Sequence, residues 1–533
     1  MNPPKIYYSD NNPAIYWTVT AIITIAFTAM FILMPSPVID DYCFLSSGSI
    51  HNPPPDSVSW LEATINNFIF RITYDNGRIP NLILTGALLA VPGWLFCIGL
   101  GICMLLMIYL AARISGVWCR SLTGFAILVF GIVICLPWHE YMFVKALATN
   151  YLVTSVLLLM STWLILHPRT SSTALTLTFV LLASLWHEMA MAGIAAGVIG
   201  LVLVFPQYRT RRMAYIAATL VAAAVYYFAI PATHVRSAKY TENLFSFEFL
   251  RNPLFSIHLA IPSFFLILTL ILLAVRRTRQ LIFKPVPAFM VGMALGSALI
   301  FWFFHDAGLR TVWTLMLASF IGLAFITAAV LPSRKIFRFI AYVLLFAATV
   351  QPCACIPWFY KYNHDWKAII TKSKKSKGLD DRFVDYIMPQ HYPLYCLEFT
   401  AGSKLLPLLI PPYPQIVHSS LADFNPAKAQ SIGIGREAYL YKDNIIIPTV
   451  DAHAVRIIVY FDGKPLPIYA SSIPFTTVSG TYSCICPINI YSLYKHRKIT
   501  GVGDIIEIDP KDFYNPNYSL LPKEIDRRFS PAG

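Results

Sequence analysis

Apolar residues fall in long unbroken blocks, not in the alternation of half-buried strands or the seven-residue repeat of a coiled coil. The blocks lie at residues 14 to 34, 81 to 112, 122 to 137, 151 to 167, 173 to 187, 189 to 205, 214 to 230, 256 to 275, 287 to 304, 311 to 331 and 336 to 352. A bilayer crossing takes about 20 such residues, so the pattern predicts about 11 transmembrane helices. Several blocks are short, and the pair split at Trp186-His187-Glu188 admits a single broken or re-entrant helix as well as two spans. The first block is long and lacks a small-residue cleavage site, which predicts a retained helix and not a cleavable signal.

After residue 352 the pattern changes. Runs at 444–450, 454–461, 468–478 and 504–508 read as strands, Asp462-Gly463 as a hairpin turn, and 380–387 as a helix. The expected architecture is a polytopic α-helical membrane domain over residues 1–352, with a first outer loop at 35–80. A solvated linker follows over 353–378, including the run Lys372-Ser373-Lys374-Lys375-Ser376-Lys377-Gly378. The remainder, 379–533, is expected to be an extracytoplasmic α+β or mainly β domain.

Composition agrees: 57% of the 533 residues are hydrophobic and 13% charged, which excludes a soluble globular enzyme, and 14% aromatics exclude a disordered chain. The net charge of +14 raises the question of nucleic acid, and its placement answers it. One set of short segments carries Lys5, Arg113, Arg120, Arg169, Arg209, Arg211, Arg212, Arg276, Arg277, Arg279, Lys284, Arg334, Lys335 and Arg338, with Asp10 the one acid among them. The opposite short loops carry Arg71, Arg78, Lys145, Arg236, Lys239, Arg251 and Arg310 against a larger number of acids. This is the positive-inside asymmetry. It predicts a cytoplasmic N-terminus, an extracytoplasmic C-terminal domain, the lipid bilayer as a partner and no nucleic acid.

Of the ten cysteines, Cys43, Cys353, Cys355, Cys396, Cys484 and Cys486 fall on the outer side, where disulfides persist. A bridge from Cys396, Cys353 or Cys355 to Cys484 or Cys486 is one arrangement they permit. A zinc site from the two Cys-x-Cys pairs lacks flanking histidines at ligand spacing.

Ionisable residues near membrane helices are costly unless paired or wetted, so their positions are informative. Here they gather at the predicted outer ends. Asp40-Asp41-Tyr42 follow the first span; Asp75-Asn76-Gly77-Arg78 precede the second; Trp138-His139-Glu140 and Lys145 join the third and fourth. His187-Glu188 divide the fifth and sixth, His234, Arg236 and Lys239 follow the seventh, and His305-Asp306 with Arg310 join the ninth and tenth. Adjacent carboxylates disfavour double ionisation, which suits one of Asp40 and Asp41 to a general base, although a solvated helix-end pair reads the same way. Residues 57–74 carry a helical apolar pattern fit for a helix lying in the membrane interface. Arg78 is a phosphate grip or a snorkelling anchor. The repeated Trp-His-Glu triplet offers polar groups for a substrate cavity, or metal ligands, and His305-Asp306 an oriented base or a structural pair.

Together the acid pair, the long first outer loop, Asn76-Gly77-Arg78 and the C-terminal outer domain resemble the GT-C type of integral membrane glycosyltransferase. The pattern is also similar to that of bacterial O-antigen-modifying glucosyltransferases and of uncharacterised envelope proteins sharing Asp-Asp-Tyr/Phe and Asn-Gly-Arg. Topology carries the resemblance over nearly the whole chain, motifs over residues 1 to about 190.

The resemblance implies a bacterial cytoplasmic (inner) membrane enzyme that moves a sugar, with inversion, from a polyprenyl-phosphate donor to an envelope glycan or lipid acceptor. Asp40 or Asp41, with Asp41 preferred, takes the base role. Tyr42, Arg78, His139, Glu140, Lys145, His187, Glu188, Arg236, His305 and Arg310 are the candidates for substrate and phosphate binding. No cofactor is implied and no metal is expected, with a divalent cation left open. The alternatives are an O-antigen or polysaccharide polymerase or ligase, whose large outer loop lies between late spans, and a transporter, whose ionisable groups sit mid-span.

Overall fold

A computed structural model describes residues 12–34, 72, 77–89, 92–138, 142–169, 171–234, 253–304, 309–331, 334–375, 383–384, 417–442, 444–449, 454–461, 463–487 and 499–507. The described residues divide into two compact units, a helical one reaching Tyr360 and a strand-bearing one that begins at Lys361.

The helical unit contains α1 (Pro13–Leu33), α2 (Ile79–Leu89), α3 (Gly93–Ile114), α4 (Leu122–Cys135), α5 (Lys145–Leu166), α6 (Thr173–Trp186) and α7 (Glu188–Val204). It continues with α8 (Arg211–Ala229), α9 (Pro253–Ala274), α10 (Arg276–Ile282), α11 (Pro285–Phe304), α12 (Trp313–Val330) and, as far as Tyr360, α13 (Lys335–Lys375). Among the described residues, 8 helices are long and apolar enough to cross a membrane, and α4, α6 and α7 are shorter apolar helices. Large apolar side chains such as Leu203, Phe228, Leu270 and Phe346 are more than two-thirds exposed, as lipid-facing residues are. The described chain is thus mostly helical, with several candidate membrane-spanning helices and a C-terminal region of strands.

Polar caps mark where the helices start. Asn12, Ser121, Ser172 and Thr210 each accept a backbone N–H from the first turn of α1, α4, α6 and α8. The block at 81 to 112 is not one span: Pro92, which has no N–H to donate, ends the continuity and caps α3, leaving α2 as a separate helix of 11 residues. The α6–α7 division is real and sharp, a single residue, His187, standing extended between the two helices.

The closest packing joins α7 to α11. Gly193 and Gly197 face Met293 and Phe289, while a Cβ on Gly292 or Gly296 would collide with the carbonyl oxygens of Ala196 and Ala192. This is the small-residue interface by which membrane helices gain van der Waals contact. At the other end of the bundle the Arg212 guanidinium ties three helices together. It donates to the carbonyls of Leu164 (3.0 Å), Pro168 (2.9 Å) and Ser171 (2.7 Å), and to the hydroxyls of Ser171 and Thr176. It thereby closes orphan carbonyls at the end of α5.

α13 runs on to Lys375 through Pro352 and Pro357, so residues 353–375 are helical where the sequence pattern suggested a solvated linker. The strand-bearing unit has β1 (Phe383–Val384) paired in parallel with β2 (Val417–His418). The helix expected at 380–387 is therefore a strand where it is described, because pairing across the chain overrides the local pattern.

Seven further strands follow: β3 (Gln430–Ser431), β4 (Tyr439–Tyr441), β5 (Asn444–Pro448), β6 (Ala454–Phe461), β7 (Lys464–Thr477), β8 (Gly480–Pro487) and β9 (Ile499–Glu507). They form one antiparallel sheet in the order β3-β4-β5-β8-β7-β6-β9. The β6–β7 hairpin turns at Gly463, whose φ of 81° favours glycine. Beyond β3 the chain crosses to β9, Ile434 N–H donating to Val502 O and Val502 N–H to Ile432 O, each at 2.7 Å. That bridge joins the two ends of the sheet. Ile445, Ile447, Ile457, Val459, Ile485 and Val502 pack on one face, and Ile446, Ile473, Phe475 and Cys484 on the other beneath Phe424. Cys484 and Cys353 are free thiols, so neither makes the bridge the sequence permits; Cys396 lies outside the described residues.

Candidate functional site

The site grows from the start of α2. Pro80 sits in its first turn, where a missing N–H costs nothing, and Arg78 immediately precedes it, its carbonyl accepting from Leu82 N–H at 3.0 Å. Gly77 allows the chain to pass close to the end of α8: a Cβ there would meet the Ile230 side chain at 2.5 Å, and its carbonyl accepts the Tyr226 hydroxyl at 2.7 Å. The turn fixes where the Arg78 side chain goes.

That side chain reaches the α6–α7 joint. Arg78 Nε donates to Glu188 Oε2 at 2.8 Å and Nη2 to Oε1 at 2.5 Å, a two-pronged pair with the guanidinium 7% and the carboxylate 17% exposed. Such charge-assisted forks are the strong form of the bond. Glu188 is the first residue of α7, where the helix dipole favours an anion. His187 caps the same helix: its Nδ1 accepts the Met189 N–H at 3.2 Å and lies 3.6 Å from Glu188 Oε2. An accepting Nδ1 carries no proton, so this geometry holds the neutral ring.

Two further polar layers continue from α2. Asn81, one turn after Arg78, donates from Nδ2 to Asn150 Oδ1 at 3.0 Å and accepts the Thr85 hydroxyl at 2.9 Å, all three residues being buried. Asn150 lies in a π-helical turn of α5, Thr149–Val153, an irregularity often found at functional sites. Trp186 donates its indole N–H to Thr149 O at 3.3 Å. Aromatic rings floor the region: Tyr151 lies 5.4 Å from His187 and 6.1 Å from Trp313, and Trp313 is edge-on to Trp138 at 4.8 Å.

Of the sequence candidates, the structure brings Arg78, His187 and Glu188 together. Lys145 is buried at the start of α5, with its Nζ 2.9 Å from where a Cβ on Gly93 would lie, and so sits against the beginning of α3. Arg310 is half-buried in the 3-10 turn Leu309–Val312 that leads into α12. Asp40, Asp41, Tyr42, His139, Glu140, Arg236, Lys239, His305 and Asp306 lie outside the described residues, as does the segment 57–71 of the expected interfacial helix. Within the repeated Trp-His-Glu triplet the two indoles serve packing, since Trp138 and Trp186 are both buried. Asn81, Thr85 and Asn150 were not singled out by the sequence. The signal that would have found them is the spacing of Arg78, Asn81 and Thr85 on one face of a helix.

Among the described residues, no group of three or more His, Cys, Asp and Glu side chains stands ready to hold a metal ion. Compared with protein-family models, with curated proteins and with solved structures, the chain finds no match.

Proposed function

We propose that this chain is a GT-C-like glycosyltransferase of the bacterial cytoplasmic membrane, with about 11 crossings in which α2 does not span. It would transfer a sugar from a polyprenyl-phosphate donor to an envelope glycan or lipid acceptor on the periplasmic face. The observation that carries this reading is the pair of buried Arg78 with partly exposed Glu188 and His187 beside it, polar groups gathered at the bundle end that the charge asymmetry assigns to the outside. If α1 and α3 to α9, α11, α12 and α13 each cross, the ends bearing Arg78, Lys145, His187, Glu188 and Arg310 share one side. The arginines at 113, 120, 169, 209, 211 and 212 then share the other.

In this reading Asp40 or Asp41 deprotonates or orients the acceptor hydroxyl, whose oxygen attacks the anomeric carbon as the lipid phosphate leaves. Negative charge grows on the phosphate, and fixed cations aimed there lower the barrier. Arg78, Lys145, Arg236 and Arg310 are the candidate cations on charge and predicted side, and Tyr42, His139, Glu140, His187 and His305 the candidates for hydrogen bonds.

The test compares envelope glycolipids by mass spectrometry from cells with the intact protein, a deletion, and Asp40→Asn or Asp41→Asn variants that still insert. The expected result is one hexose- or pentose-sized mass lost in the deletion and in one of the two variants. Loss in the deletion alone makes the acid pair structural. No change in any strain removes the transferase reading and turns attention to transport.

A further inference from the structure

We propose that Glu188 is an internal stand-in for lipid phosphate: it occupies the Arg78 fork until the phosphate monoester released by sugar transfer displaces it. The inference rests on the transferase reading and specifies how its anion site is kept.

Three observations meet here. First, the guanidinium edge engaged by Glu188 is Nε with Nη2, two parallel donors to two oxygens, and phosphate presents oxygens with the same spacing and planarity of approach. Second, the two partners are unequal. Arg78 is held from behind by the α2 start, with Gly77 pinned to Tyr226, whereas Glu188 is the more exposed partner of the pair. The backbone that carries the guanidinium is anchored, and the carboxylate is the partner nearer to solvent. Third, Glu188 is not needed to cap α7. His187 does that through Nδ1, and its carbonyl accepts the Ala190 and Met191 N–H groups at 3.0 and 3.2 Å. The helix start survives the departure of the carboxylate.

The arrangement answers a physical difficulty. A guanidinium buried without a counter-ion is strongly destabilising, so an empty phosphate grip cannot simply wait in the bundle. Glu188 neutralises it between ligands. A phosphate monoester carries more charge than a carboxylate, and outcompetes it at the fork at the cost of placing Glu188 in a new setting.

The experiment measures binding of two probes to the purified full chain in lipid nanodiscs: a polyprenyl monophosphate in the disc and inorganic phosphate in solution. Removing the competing charge with Glu188→Gln is expected to tighten binding about tenfold, and Arg78→Gln to abolish it. Gain for both probes identifies phosphate alone as the recognised group; gain for the lipid alone shows that the chain beyond the phosphate contributes. Unchanged or weaker binding in a folded Glu188→Gln protein overturns the proposal. Should that variant fail to fold, Glu188→Asp, too short to span both donors, is expected to show a smaller gain, and no gain there overturns it equally. A binding gain in Glu188→Gln with no glycan lost in the deletion strain refutes the transferase reading and leaves the stand-in intact. A glycan lost in the deletion strain with no binding gain in Glu188→Gln does the reverse.

Discussion

A charged pair in a helical bundle is worth examining one side chain at a time, because removing one partner differs from removing both. Arg78→Gln strands the Glu188 carboxylate at 17% exposure and should cost about 3 to 5 kcal/mol of stability. The double variant Arg78→Gln with Glu188→Gln should cost less than the sum of the singles by about 0.5 to 3 kcal/mol. Denaturant unfolding of the detergent-purified protein measures both, and strict additivity would mean that the fork contributes no coupling. In the strand-bearing unit the Tyr439 phenol donates to Glu437, and this hydrogen bond to a carboxylate pushes its titration up to about 12. The neutral phenol is the form the fold prefers, so the small stabilisation is fully present below about 10 and is lost as pH rises from there through about 12.

Helices in this bundle are separated by how much their backbones can approach, and glycines decide that. Gly296 of α11 lies against the Ala192 carbonyl of α7, whereas a Cβ on Gly99 of α3 meets nothing within 4 Å. Gly296→Ala should therefore destabilise the protein by about 1 to 3 kcal/mol through overpacking. Gly99→Ala should be neutral or stabilising by up to about 1 kcal/mol, since alanine is the better helix former. Thermal melting of the two variants side by side checks the contrast, and equal shifts would refute close packing at the α7–α11 seam. The helices themselves were legible in the sequence because each needs only a continuous apolar run. What broke the reading was local chemistry within a run, Pro92 dividing 81 to 112 and the π turn at Thr149–Val153. The strand β8 was missed because its polar start and its cysteines obscured the alternation. The Arg78–Glu188 pair spans 110 residues of sequence, and no local pattern announces such a partner.

For the molecule as a whole, orientation in the membrane is the property that everything above depends on, and it is open to direct labelling. In a cysteine-free background, Lys428→Cys in the strand-bearing unit should react with a membrane-impermeant maleimide on intact spheroplasts. Arg120→Cys, in the turn between α3 and α4, should react only after lysis; both positions are exposed. The opposite pattern would invert the topology and place Arg78 on the wrong side for a periplasmic reaction. The charge bias is what predicts this orientation; the hairpin closing at Gly463 was read correctly from the sequence, yet the closing of the sheet was not, since it depends on a single bridge between Gly433 and Val502. That bridge has a consequence of its own. A ribbon of strands unravels from an end, but a hoop has no end. This hoop is stitched at Val502 alone, so loss of that one bridge should return the sheet to a ribbon with β3 and β9 as its two free ends.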